Sequence, residues 1–426
     1  MKTHQKFYVL ISMALVILFT ACKKDDVEEI DFDAYGEEDV DLLCVANNSP
    51  YAEAGAEDIN PIVFDNALFE GWETTDEDSV LLNSNIKSIA DFIKELIEYG
   101  TSSVIHQVKG SYKTIDEHGL PIRLSGKLFL PKSGDVKALI IANHFTIGSN
   151  AEAPSENFCF EGIYAAAGYA VIMADYIGYG LTKDRIHPYL HVESTARASV
   201  DIALAAQRYM KAIGRAPQTS AVYILGYSQG GAVALSVQKR IEEEYADKIN
   251  IIRTFAGAGP YDLVGTYDIS IAENKTGIPC AVPMIIQGIN QGDALGLDMK
   301  DFFKGSLLEN YNEWINSKEY TVKEINKKIN TKYISEILTT GAMNKNNAKT
   351  KILYESLQKN SLLSWTPKAP LYMFHSKDDK TVPFLNSEHA QNAFTKSSVE
   401  YNFGNYGSHQ NAAIKFLITV GNILPK

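Results

Sequence analysis

Residues 221–231 read AVYILGYSQGG and run directly into AVALSVQKRIEEEYA at 232–246. The first half is a short apolar run of the kind that forms a strand covered on both faces, and the second has apolar residues at helical spacing. Between them Gly226-Tyr227-Ser228-Gln229-Gly230 forms G-x-S-x-G in a strand-turn-helix setting. The spacing has a steric reason. A nucleophile on so sharp a turn takes unusual backbone angles, and glycines two residues to either side let strand and helix approach closely. Ser228 would then sit at a helix N-terminus, where the Gln229 N–H and the helix dipole favour a developing oxyanion. A serine at a glycine-rich helix N-cap is the bland alternative.

Outward from this turn, similar apolar runs recur at Ala138–His144, Tyr169–Tyr176, Ile251–Gly259, Pro370–Ser376 and Val399–Phe403, separated by helical patterns such as ESTARASVDIALAAQRYMKAIG. Before them, SSVIHQVKGSYKTID and PIRLSGKLFLP flank a polar turn and predict an antiparallel hairpin. A helix is expected over about Ser84–Glu98. The fold class is α/β: a mostly parallel central sheet with an antiparallel start. Roughly a hundred residues separate Gly259 from Pro370, too many for a structureless crossover, and stretches such as VKEINKKINTKYISEIL predict an inserted helical cap. The expected organisation is 1–22 signal, 23–80 acidic tether and N-terminal extension, 81–262 core, 263–366 cap, and 367–426 the rest of the core.

The net charge of −12 argues against a nucleic-acid partner. It is concentrated: Lys23–Asp41 carries ten acids against two lysines, and a run this acidic and poor in apolar residues reads as a solvated tether. Ahead of it, Lys2 and Lys6 precede the apolar run Phe7–Phe19, which has signal-peptide length, and Thr20-Ala21-Cys22 resembles a bacterial lipobox. That resemblance implies diacylation of Cys22, a membrane anchor and a place in the bacterial cell envelope at the outer membrane. The Lys-Lys-Asp-Asp that follows resembles the charged surface-export signals of Bacteroidetes lipoproteins. Cys44, Cys159 and Cys280 allow at most one internal disulfide, and neither CxxC nor HExxH occurs, so no metal or other cofactor is expected.

A serine needs a base, and the base an orienting acid. His409, in Asn405-Tyr406-Gly407-Ser408-His409-Gln410, follows the last apolar run and precedes the final helix. For the acid, the run ending at Ser376 leads into Lys377-Asp378-Asp379-Lys380-Thr381-Val382-Pro383, and Asp378, Asp379 and Asp262 are all candidates. The second oxyanion donor should come from the loop after the strand at Ala138–His144, with Thr146 first and Phe145 next. His144 is expected to shape that loop.

Together GYSQGG, Asp175–Gly180 (DYIGYG), His187–Gln207, DDKTVP and YGSHQ resemble the secreted α/β-hydrolase lipases related to Candida antarctica lipase A, over about residues 85–426, roughly four fifths of the chain. The resemblance implies an α/β-hydrolase fold, Ser228 as nucleophile, Asp379 as acid, His409 as base, and hydrolysis of small-molecule, lipid or acylated-glycan esters without a cofactor. The chain departs from the family where His144 and Phe145 stand in place of smaller or acidic residues. The competing functions are a prolyl-oligopeptidase-like peptidase, which usually carries a propeller of several hundred residues, and a surface glycan-binding lipoprotein on an inactive hydrolase fold.

Overall fold

The computed structural model describes residues 105–425 apart from 133, 158, 396 and 397, together with two short strands nearer the N-terminus. In chain order the strands are β1 (Ile30–Asp31), β2 (Ala52–Ala54), β3 (Ile105–Ile115), β4 (Pro121–Pro131), β5 (Leu139–Asn143), β6 (Ala170–Ala174), β7 (Ala221–Tyr227), β8 (Asn250–Gly257), β9 (Leu371–Ser376) and β10 (Val399–Gly404). They form one sheet in the order β1-β3-β4-β6-β5-β7-β8-β9-β10, with β2 also on β3. Pairings β3–β4 and β4–β6 are antiparallel, and from β6 to β10 every pairing is parallel. The chain therefore has the α/β-hydrolase fold, with the antiparallel start expected of it.

Two-sided burial explains the apolar runs. On β5, Leu139 and Ile141 point into one hydrophobic cluster and Ile140 and Ala142 into another, and β6 and β7 divide their residues in the same alternation. The first cluster is closed by α1 (Val192–Ala212) and α2 (Gln229–Glu244). Alanines on α1 let it lie close to the sheet; a Cβ on Gly126 of β4 would come within 2.3 Å of Ile202 Cδ1.

Between β8 and β9 the chain forms α3 (Leu263–Glu273), α4 (Ala281–Gly292), α5 (Gly305–Tyr311), α6 (Val322–Ile329), α7 (Ile334–Ile337) and α8 (Ala348–Lys359). After β9 come α9 (Leu385–Ala393) and α10 (His409–Ile423), the latter closing the second cluster. The stretch VKEINKKINTKYISEIL is two helices rather than one: Asn330 takes left-handed angles (φ 54) and ends α6. The inserted helices sit on loops at the carboxyl ends of the strands. A Cβ on Gly148 would meet Tyr320 O at 2.5 Å, and one on Gly288 would meet Tyr189 N at 2.3 Å. Buried side chains of the insertion, among them Ile286, Phe302 and Ile325, share one cluster with Leu235 of α2 and Met373 of β9. No helix among the described residues is long and apolar enough to cross a membrane.

One expectation at the N-terminus changes. Within the acidic run, Ile30–Asp31 pairs with Gly110 and Ser111 of β3 instead of remaining apart. The open side of β3 offers unpaired backbone groups, which any extended segment can satisfy. Cys22 and its signal, Cys44 and the helix expected near 84–98 lie outside the described residues.

Candidate active site

Strand order reverses around β5: β6 lies on one side and β7 on the other, so a crevice opens beyond their carboxyl ends. Ser228 stands there, between β7 and α2, with φ 59 and ψ −125. Such a backbone costs on the order of 1–3 kcal/mol for a residue other than glycine and needs support from its surroundings. The Ser228 N–H donates to Gly257 O (2.9 Å), and the Ser228 carbonyl accepts from Gly231 and Ala232. A Cβ on Gly226 would lie 2.0 Å from Gly230 O, one on Gly230 the same distance from Asn143 O, and one on Gly231 2.2 Å from Gly257 O. Gly226, Gly230 and Gly231 are thus where β5, β7, β8 and α2 meet backbone to backbone.

His409 begins α10, behind the cap Ser408, and is buried. Its Nδ1 meets Asp379 Oδ2 at 2.5 Å; because a carboxylate only accepts, Nδ1 carries the proton. Asp379 Oδ1 accepts from the Thr381 and Val382 N–H groups (2.8 and 3.0 Å). Burial opposes charge on Asp379, but His409 and His375 outweigh it and hold the carboxyl well below its usual range. Asp378, its neighbour in the chain, is exposed. Asp262 caps α3 through the Gly265 N–H and pairs with His389 Nδ1 (2.6 Å), so it is engaged away from His409.

Three residues missed in the sequence reading bind these parts together. Tyr227, the first x of G-x-S-x-G, donates its hydroxyl to His409 O (2.8 Å) and lays its ring 4.9 Å from the imidazole. His375, fully buried, directs Nε2 at Asp379 Oδ2 (3.1 Å) and Val382 O (3.2 Å), while Nδ1 meets Ser387 Oγ (2.7 Å). Ser376 Oγ donates to Gly407 O and accepts from the Tyr406 N–H, tying the end of β9 to the His409 loop. A histidine inside the apolar run PLYMFHS was the available signal, since a buried polar side chain requires partners.

Gln229 is the first residue of α2, so its N–H has no acceptor within the helix. Its side chain is fixed by His187. The Nδ1–H of that imidazole donates to Ile177 O (2.7 Å), and burial pushes its pKa down to about 3, leaving a bare Nε2 that accepts from Gln229 Nε2 (3.1 Å). The loop after β5 abuts the same helix end: a Cβ on Gly230 would also lie 2.9 Å from His144 O. Thr146 is buried there with Oγ1 2.6 Å from Tyr189 OH, whereas Phe145 is partly exposed. His144 donates Nδ1–H to Phe145 O and stacks on Tyr176, and burial lowers its pKa to about 4. Asp175, at the start of DYIGYG, accepts from Ser125 Oγ and the Ser155 N–H and so braces this loop region. Cys159 and Cys280 are free thiols.

Residues 161–416, which include Ser228, Asp379 and His409, match the secretory lipase family. The chain is a member of that family. A secreted triacylglycerol lipase of Malassezia furfur is 25% identical over 194 residues, 43% of this chain and 37% of that protein, so the match spans under two fifths of the relative's length. Among solved structures, the rice cell wall degrading esterase LipA of Xanthomonas oryzae superposes with a TM-score of 0.66 at 22% identity, over 78% of this chain and 92% of that one. Candida antarctica lipase A in its closed state gives 0.56 at 15% identity, over 76% and 79%. At these identities the likeness concerns the fold.

Proposed function

We propose that this secretory lipase family member is a serine hydrolase of carboxylic esters working through an acyl-enzyme. The observation that carries the reading is the buried 2.5 Å contact of His409 Nδ1 with Asp379, on the sheet edge where Ser228 emerges and tied to it through Tyr227. With Nδ1 held by the carboxylate, Nε2 takes the Ser228 proton as Oγ attacks the ester carbonyl. The oxyanion is met by the Gln229 N–H and by a donor at Thr146 in the loop after β5. His409 returns the proton to the leaving alcohol, and water repeats the sequence to release the acid. Asp379 orients the imidazole and stabilises it when protonated. None of these steps draws on a cofactor.

Labelling with a fluorophosphonate, which requires an activated serine, tests the mechanism together with hydrolysis of a nitrophenyl ester series. Ser228→Ala should abolish labelling and lower turnover by about four or more powers of ten, with a melting temperature within a few degrees of wild type. A variant keeping a tenth of wild-type turnover would overturn the reading. The same panel separates esterase from prolyl-peptidase activity if a proline nitroanilide is included.

The helices from 263 to 366 are proposed to act as a cap selecting the acyl group. Cys22 is proposed to carry the lipid anchor that holds the enzyme at the cell envelope, with the acidic segment as spacer. Labelled palmitate should enter the wild-type protein and not Cys22→Ala; equal labelling of both excludes the anchor.

A further inference from the structure

The insertion and the core meet along a seam at the end of the sheet where Ser228 emerges. Gly148 of the core abuts Tyr320, Thr321 and Ile325, and Gly288 of the insertion abuts Tyr189. Ser228 and His409 are 9% and 5% exposed there, so an ester reaches Ser228 Oγ only when part of what covers it moves aside.

Lys318 is out of place in this seam. It belongs to the insertion, is 4% exposed, and lies beside Tyr179, His187 and Tyr189 of the core. Among the described residues its ammonium donates one hydrogen bond, to Ile315 O (3.1 Å) in its own turn, and forms no ion pair. Across the seam it has the face of Tyr179, 5.4 Å from Nζ to the ring centre. An ammonium has three donors, and stripping it of water costs more than an aromatic face returns. Lys127, also buried, differs in lying within the field of Asp175 and Glu156. The backbone at Lys318 is left-handed (φ 59) and is tied to the core by the Asn150 N–H, which donates to Lys318 O (2.7 Å). The turn is thus fastened to the core while its side chain opposes the fastening.

We propose that Lys318 keeps the insertion poised to open, because closing the seam takes water from the ammonium and gives it no counter-charge in return. This rests on the reading of helices 263–366 as a cap over an ester-hydrolase site. Burial lowers the Lys318 pKa to about 8 in the closed form, against about 10.4 for a lysine in water. Below pH 8 the charge is present in both forms and favours opening in full. As pH rises above 8 the closed form sheds its proton first, and the drive to open falls away. Between pH 7 and pH 9 these values reduce the contribution of Lys318 to the open-to-closed ratio about tenfold.

No neighbour in the closed seam competes with this change. Burial holds His187 neutral and keeps Tyr179, Tyr189 and Cys280 protonated. The carboxylates of the adjoining segments are engaged elsewhere: Glu152 by the Gly148 and Ser149 N–H groups, Glu313 by Tyr320 OH and Glu324 by Thr321, while Glu319 is exposed.

The seam contains its own reporter. Cys280, at the start of α4, is fully buried, and its thiol lies within the electrostatic reach of Tyr179 and Tyr189. Alkylation by iodoacetamide, read by mass spectrometry of the Cys280 peptide, therefore follows opening, and comparing proteins at equal pH cancels the chemistry of the thiol. Wild type should label at least about tenfold faster than Lys318→Met at pH 7, and that advantage should shrink about tenfold by pH 9. The kcat/KM for a nitrophenyl ester should move in step. Lys318→Arg keeps its charge throughout, so labelling of wild type relative to this variant should also fall about tenfold from pH 7 to pH 9, a comparison that stands even if Lys318→Met does not fold. Equal or faster labelling of Lys318→Met, or ratios that do not change with pH, would overturn the proposal. Altered labelling with unaltered hydrolysis also sinks it, since the seam would then not control access. Labelling that follows Lys318 in a protein without Ser228-dependent hydrolysis would instead leave the opening device standing and remove the hydrolase reading.

Discussion

The elbow at Ser228 and the pair at Asp379 and His409 are built by different forces. At the elbow, steric exclusion rules: Gly226, Gly230 and Gly231 face backbone atoms of neighbouring elements at distances no side chain tolerates. At the pair, electrostatics rule: a buried carboxylate is kept ionised by two imidazoles and two backbone N–H groups. A sterically built region should fail by losing the fold when altered. An electrostatically built one should keep the fold and fail in chemistry.

The largest effect expected from this contrast is on the electrostatic side. Asp379→Asn keeps the side-chain volume but removes the charge and the correct imidazole partner, and should cost about a thousandfold in kcat. Asp378→Asn and Asp262→Asn should each cost roughly tenfold or less, and a greater loss from either would move the acid elsewhere. The same carboxylate links stability to pH. Its folded pKa is depressed, so the unfolded state binds the proton more readily, and the stability it contributes is present above the ordinary carboxyl value near 4 and lost as pH falls below it. Acid unfolding of Asp379→Asn should therefore depend less steeply on pH than that of wild type.

Next comes the steric side. Gly230→Ala pushes a methyl group against Asn143 O and should destabilise by about 1–3 kcal/mol, while the protein that remains folded keeps a reactive Ser228. Chemical denaturation with fluorophosphonate titration of the folded fraction checks this. Full stability with lost labelling would mean that the glycine serves chemistry rather than packing.

The smallest effect sharpens the comparison most. His375 touches Asp379 but belongs to the packed interior, so it stands between the two regimes. His375→Phe should lower kcat about tenfold with KM little changed, and cost about 1–3 kcal/mol because Val382 O and Ser387 lose a buried partner. Steady-state kinetics beside denaturation give both numbers. A loss confined to stability would make His375 structural, without any positioning of Asp379.

Much of this architecture was legible along the chain because it depends on neighbours in sequence. A run such as Leu139–Asn143 is apolar at nearly every position because both faces of its strand are covered, and G-x-S-x-G is contiguous because one tight turn makes all its contacts. The antiparallel hairpin and the interval between Gly259 and Pro370 were readable on the same grounds. The division of VKEINKKINTKYISEIL at Asn330 was not, since apolar spacing continues across the break. Nor was the pairing of Ile30–Asp31 with β3, which depends on an open sheet edge and little on the residues that fill it.

What the amino-acid order determined by itself was the α/β class, the strand-turn-helix at Ser228 and a short choice of candidate acids and bases, all consequences of local periodicity and backbone sterics. What tertiary structure alone decided was which side chains share a charge or a bond across long separations. Asp379 rather than Asp262 meets His409; His375 and Tyr227 brace that contact; and His187 holds Gln229. These relations depend on distance and solvent exclusion, and neither quantity exists until the chain has closed on itself.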